Sequence, residues 1–159
     1  MRIVVMRGMT GAGKSTLTKR LFKDALVCSA DDFFPAGVYD PRRLDEAHDY
    51  CYNRFQAGLK AKTQTIVVDN TNLKSRDYEP YVLDALDHEA QDITFYHVLC
   101  HPMTAAHRSK HWRFLKRQGP GPMWKKHFQL LQPPDNFKVV EVWTSDRISE
   151  EELAQARYL

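Results

Sequence analysis

The stretch Gly8-Met9-Thr10-Gly11-Ala12-Gly13-Lys14-Ser15 follows directly on the apolar run Ile3-Val4-Val5-Met6, and it satisfies the pattern GxxxxGK[ST]. No other stretch of the 159 residues narrows the possible folds as far. That pattern belongs to a loop joining a strand to a helix. Its glycines let the backbone turn inward until several N–H groups converge, and the helix that follows adds the positive end of its dipole. Side chains would block that space. The cradle suits phosphate oxygens, with Lys14 placed to reach the β- and γ-phosphates of a nucleotide and the Ser15 hydroxyl to coordinate Mg²⁺. The competing reading is a flexible glycine turn.

Apolar periodicity alternates between strand and helix along the chain, with no internal repeat or linker. Strands are expected at Ile3 to Met6, Ala25 to Cys28, Thr65 to Val68, Ile93 to Leu99 and Val139 to Trp143. Between them lie a helix from about Lys14 to Phe22 and another marked by Tyr78, Tyr81, Val82, Ala85 and Leu86, whose start Pro80 obscures. Asp40-Pro41 caps a long amphipathic helix with the stripe Leu44, Ala47, His48, Cys51, Phe55 and Leu59. One or two helices broken at Gly119 to Pro122, and a last helix beyond Ser149, complete the pattern. Strands alternating with helices imply a mainly parallel five-stranded sheet in a three-layer α/β/α sandwich, expected as a single domain over 1–159. In such sheets ligands sit beyond the carboxyl ends of the strands.

Composition excludes several classes. With 43% hydrophobic and 27% charged residues the chain can bury one substantial core, and 8 Pro, 7 Gly and a net charge of +3 argue against disorder or collagen. No apolar run nears the roughly 20 residues of a membrane span, and the N-terminus lacks a signal-peptide pattern, so a cytoplasmic protein without membrane association is expected. Cys28, Cys51 and Cys100 are odd in number and widely spaced, which argues for reduced core residues rather than disulfides.

Acids follow two of the expected strands. Ser29-Ala30-Asp31-Asp32 ends the second, and Asp69-Asn70-Thr71-Asn72 ends the third. All should share a rim with the glycine loop. There Asp31 is assigned as a base accepting a proton from an attacking hydroxyl, and Asp69 as an acid on the magnesium side. The alternatives are helix caps for Asp31 or Asp32 and turn residues for Asp69, Asn70 and Asn72.

Charge is unevenly spread. Ile93 through Pro134 holds no Asp or Glu, while Arg108, Lys110, Arg113, Lys116, Arg117, Lys125 and Lys126 give it +7; the remaining 16 basic and 20 acidic residues leave −4. Such a block suits a polyanion. Arg108, Arg113 and Arg117 are the candidates for a lid cation that neutralises charge during phosphoryl transfer, or else they line a solvated helix face. Lys110 and Trp112, interleaved with histidines, fit contacts to nucleic-acid phosphates and bases. The cluster His97, Cys100, His101, His107 and His111 raises a zinc site as an alternative, which the cationic surroundings oppose.

Taken together, Arg7-Gly8 through Thr16, Asp31-Asp32-Phe33-Phe34, Glu46-Ala47-His48 and Asp69-Asn70-Thr71-Asn72-Leu73 resemble the P-loop kinases related to phage polynucleotide 5′-hydroxyl kinase and the NEDD4-binding-protein-like kinases. The resemblance is firm over Arg7 to Leu73 and looser through an Arg-rich lid at about 101–132. It implies a nucleotide-kinase-like fold and transfer of the ATP γ-phosphate, with Mg²⁺, to a hydroxyl of DNA or RNA. It also implies Asp31 as general base, Lys14 and Ser15 on phosphate and metal, Thr16 beside them, and a lid arginine at the transition state. Asp32, Asn70, Asn72, Lys110 and Trp112 are expected on the acceptor side. Two departures stand out. Phe34 occupies the place where the phage end-healing kinases carry an arginine gripping the acceptor phosphate, and Asn70, preceded by Asp69, replaces their Asp before Thr-Asn-Leu. Both touch acceptor handling and admit either a 5′ end or the hydroxymethyl group of a modified pyrimidine. A small-molecule kinase and an NTP-binding module without transfer activity are the other readings.

Overall fold

The computed structural model describes residues 1–36, 38–109 and 134–152. Five strands, β1 (Arg2–Arg7), β2 (Leu26–Cys28), β3 (Thr65–Asp69), β4 (Asp92–Leu99) and β5 (Lys138–Trp143), form one sheet in the order β2-β3-β1-β4-β5. Every pairing is parallel. The expected sheet is therefore present, with each strand within a few residues of its predicted span.

Alternation along each strand divides the core. Ile3, Val5, Ile66, Val68 and Phe95 face α2 (Leu44–Lys60) and α3 (Ser75–Asp87), where they meet Cys51, Phe55, Tyr81 and Val82. Val4, Met6, Val67 and Val98 face α1 (Lys14–Leu21) and α4 (Pro102–Arg108), where they meet Leu17, Ala105 and Ala106. This two-residue period is what a sheet covered on both faces demands. The step from β1 to β2 runs opposite to those from β2 to β3 and β3 to β4, so right-handed crossovers place α1 on one face and α2 and α3 on the other. The chain reverses direction beside β1. A crevice opens there, at the carboxyl edge from which Gly8, Ser29, Asn70, Cys100 and Thr144 emerge.

Local details refine the sequence reading. Asp40 caps a short 3-10 turn, Pro41–Arg43, by accepting from the Arg42 N–H at 3.0 Å, and α2 starts at Leu44. His48 belongs to the apolar stripe by spacing but is exposed. Pro80 sits inside α3, whose start at Ser75 is fixed by Asp77 reaching back to the Lys74 N–H at 3.0 Å. Beyond β5, Ser149 and Glu152 exchange the reciprocal bonds of a capping box, as a helix there requires. All three cysteines are buried and unpaired by disulfides. The helices expected around Gly119 to Pro122, and with them Lys110, Trp112, Arg113 and Arg117, lie outside the described residues.

Candidate active site

The glycine loop is built by close packing. A Cβ on Gly8 would stand 2.6 Å from the Val98 carbonyl oxygen, and one on Gly11 would collide with the Ala105 carbonyl, at a φ of +85°. Gly13, at φ +100°, caps α1 without a side chain. The Gly8 N–H donates to the Thr71 carbonyl at 3.0 Å, which ties the loop to the end of β3. Lys14 Nζ lies across the loop and donates to the Met9 carbonyl at 3.0 Å.

Electrostatics bring the acids to this lysine. Burial pushes the Lys14 ammonium below its ordinary range, opposed first by Asp69 and then by Asp31. Burial likewise raises Asp69, opposed by a hydrogen bond from the Ser15 hydroxyl and by Lys14, while Asp31 and Asp32 push it further up. Asp69 is only 6% exposed, and its Oδ1 has no hydrogen-bond partner among the described residues. A buried carboxylate oxygen left without a partner beside a serine hydroxyl and a lysine is an unsatisfied acceptor. Ser15 and Asp69 thus supply a hydroxyl and a carboxylate oxygen, the donor types a magnesium ion takes. Asp69 lies beside Ser15 and Lys14, and Asp31 is within electrostatic reach of Lys14 and Asp69.

The hydrogen bonds decide between cap and free carboxylate for Asp31 and Asp32. Ser29 caps the 3-10 turn Ala30–Phe33, its Oγ accepting from the Asp31 N–H at 3.3 Å, so both carboxylates are exposed and not engaged as caps. Asn70 Oδ1 accepts from the Ala30 N–H at 2.9 Å and its amide points at Cys51 Sγ, 3.4 Å away. Asn72, 2% exposed with a φ of +47°, donates to the Met6 carbonyl at 2.7 Å. Both amides therefore act inside the protein: one holds the Asp31 turn against β3, the other holds the β3 loop against β1.

Two residues with no role assigned from sequence shape the site. Arg7, buried at the end of β1, donates from Nε to the Asn72 carbonyl at 2.9 Å and from Nη2 to the Leu73 carbonyl at 2.8 Å. Its Nη1 lies 3.4 Å from His97 Nε2, and its guanidinium lies over the Tyr78 ring. Thr144 follows β5. Its Oγ1 donates to the Ala12 carbonyl at 2.5 Å, and Arg108 donates to its Oγ1 at 3.3 Å and its carbonyl at 3.2 Å. Only the position of Thr144 after an expected strand could have drawn attention to it.

Two clefts flank the cradle. One of about 410 Å³ is lined by Gly13, Thr16, Arg20, Arg108, Trp143 and Thr144. The other, of about 460 Å³, opens between α2 and α3 and is lined by His48, Tyr52, Asn70, Asn72, Arg76 and Tyr81. Among the described residues no His, Cys, Asp or Glu cluster could hold a zinc ion, and no helix is long and apolar enough to cross a membrane.

Comparison with known proteins agrees with the fold. The sequence pattern of the family described as an AAA domain matches residues 3–157. Human NEDD4-binding protein 2 is 29% identical over 154 residues, covering 93% of this chain, which spans only 8% of the length of that relative. Among solved structures, a kinase candidate from Chloroflexus aurantiacus aligns with a TM-score of 0.60 at 16% identity, covering 99% of this chain and 95% of that one. The APS kinase of Mycobacterium tuberculosis, in complex with AMPPNP and APS, aligns with a TM-score of 0.57 at 16% identity, covering 99% and 94%.

Proposed function

We propose, for a chain that belongs to the AAA domain family, transfer of the γ-phosphate of ATP to a hydroxyl group of a nucleic acid. A kinase-like P-loop fold is the premise. The observation carrying the reading is the buried, unpartnered Asp69 carboxylate oxygen at the strand end beside the glycine loop, with Lys14 lying across that loop and the exposed Asp31 on the turn that Asn70 ties to β3. Phosphoryl transfer needs a cradle for the phosphates, a cation at the moving group and a base for the acceptor hydroxyl, and these residues supply the three.

In this reading the loop Gly8 through Thr16 cradles the phosphates, which bind the N–H groups of Gly11, Gly13, Lys14, Ser15 and Thr16 and the Lys14 ammonium. The cleft beside Trp143 and Arg108 takes the nucleoside, so Arg108 acts on the nucleotide side, and Arg113 and Arg117 are the candidates for a transition-state cation. Ser15 and Asp69 would hold Mg²⁺, which neutralises charge on the phosphates when bound. Asp31 accepts the proton from the acceptor hydroxyl as its oxygen bonds to the γ-phosphorus and the bond to the β–γ bridging oxygen breaks, releasing ADP. Asn70 and Asn72 serve the acceptor indirectly, by fixing the loops around it.

The acid-free, basic stretch from Ile93 to Pro134 supports a polyanionic acceptor. A small-molecule acceptor is the second reading, favoured by the modest size of the cleft between α2 and α3. Incubation with γ-labelled ATP and either 5′-hydroxyl oligonucleotides or hydroxymethyluracil-containing DNA, followed by digestion to nucleosides, locates the label. Incorporation that weakens steeply with salt supports the polymer, and salt-insensitive turnover without polymer supports the small molecule.

A further inference from the structure

The cleft between α2 and α3 shares Asn70 with the turn that carries Asp31, because Asn70 Oδ1 accepts from the Ala30 N–H. Whatever occupies it touches the residue that holds the turn of the proposed base. Its size fits one ring-sized unit of an acceptor rather than a length of chain. Its lining is mixed: Asp49 and Asp77 oppose a phosphate inside, whereas Tyr52, Thr71 and His48 are polar groups able to hydrogen-bond a base or sugar. Arg76 stands apart. Its side chain is 77% exposed, and its nearest ion-pair contact is a long one, 3.9 Å to the adjacent Asp77. A pair that long and that exposed does little to hold a guanidinium in place.

Where the resembling kinases carry a phosphate-gripping arginine, this chain has Phe34. Its ring packs edge-on against Phe33 at 5.2 Å and against Tyr39 at 5.3 Å, in an aromatic cluster whose Phe33 ring already carries the Arg43 guanidinium at 4.8 Å. Arg42 and Arg43 nearby are paired with Asp40 at 3.0 Å and Glu46 at 2.8 Å. Among the described lining residues of the cleft, Arg76 is the only arginine.

Resting on the kinase reading above, we propose that the α2–α3 cleft receives one uncharged nucleoside unit of the acceptor while Arg76 at its mouth binds the phosphodiester next to that unit. Guanidinium binds phosphate oxygens through paired N–H donors, so removal of either partner makes the other indifferent.

The test pairs an Arg76 variant with acceptors whose phosphodiesters near the accepting hydroxyl are replaced, one at a time, by neutral methylphosphonates. The wild-type chain should show an acceptor KM raised about tenfold at one particular linkage. R76A should raise the KM of the natural acceptor by a similar factor and show no further rise at that linkage, with R76K restoring part of the loss and the KM for ATP unmoved. An R76A chain still as sensitive as wild type at every linkage, or one with an unchanged acceptor KM, would overturn the subsite alone. Absence of transfer to any polymer by the wild-type chain would overturn the nucleic-acid reading, and the subsite with it.

Discussion

Arg7 shows how a single side chain can set the shape of a site it never enters. It is 5% exposed, spends two N–H donors on the carbonyls of Asn72 and Leu73, and leans on His97. Burial, and then the Arg7 charge, pushes His97 down from 6.5 to about 4. The imidazole is therefore neutral at neutral pH and accepts from the guanidinium. On acidification the unfolded chain takes up this proton below 6.5, while the folded chain resists until about 4, so stability is lost across that window. The loss is bounded at about 3 kcal/mol, because each tenfold change in a protonation equilibrium is worth roughly 1.4 kcal/mol. H97Q keeps an acceptor for Arg7 without the titration, and its Tm should fall less than that of wild type between pH 6.5 and 4. Equal slopes in thermal melts would count against this assignment. None of this was legible in the sequence, because partners 65 and 90 residues apart leave no local pattern. The Lys14–Ser15 pair was legible, since phosphate binding constrains residue type and spacing together.

Elements were read more easily than the joints between them. The apolar run in Thr65-Ile66-Val67-Val68 placed a strand with the acid Asp69 at its end, and parallel order then put Asp69 beside the glycine loop. The amides of Asn70 and Asn72 fit either a turn or an acceptor contact by residue type, and their hydrogen bonds assign them to holding loops. Thr144 joins three elements: the end of β5, the loop before α1, and α4 through Arg108. A lone threonine after a strand carries no motif, so this joint could not be foreseen. T144V removes the hydroxyl at nearly constant volume and leaves the Ala12 carbonyl without that donor. Steady-state kinetics should show the KM for ATP raised about tenfold with kcat little changed, and T144S should restore it. A lowered kcat at unchanged KM would place Thr144 elsewhere in the reaction.

For the whole molecule, the sheet order does the work of assembly. Residues as distant in sequence as Lys14, Asp31 and Asp69 come within electrostatic reach of one another because β2, β3 and β1 lie side by side in parallel and end at one rim. That architecture follows from alternating periods, while the case for a polyanionic acceptor rests on composition between Ile93 and Pro134. The most direct measurement is D31N, with turnover of γ-labelled ATP onto acceptor followed beside ATP binding by calorimetry. Loss of the base should lower kcat by about 10²- to 10⁴-fold while the Kd for ATP stays within about twofold of wild type. Full turnover in D31N would contradict the placement of the base at Asp31, and with it the proposed phosphoryl transfer at this rim.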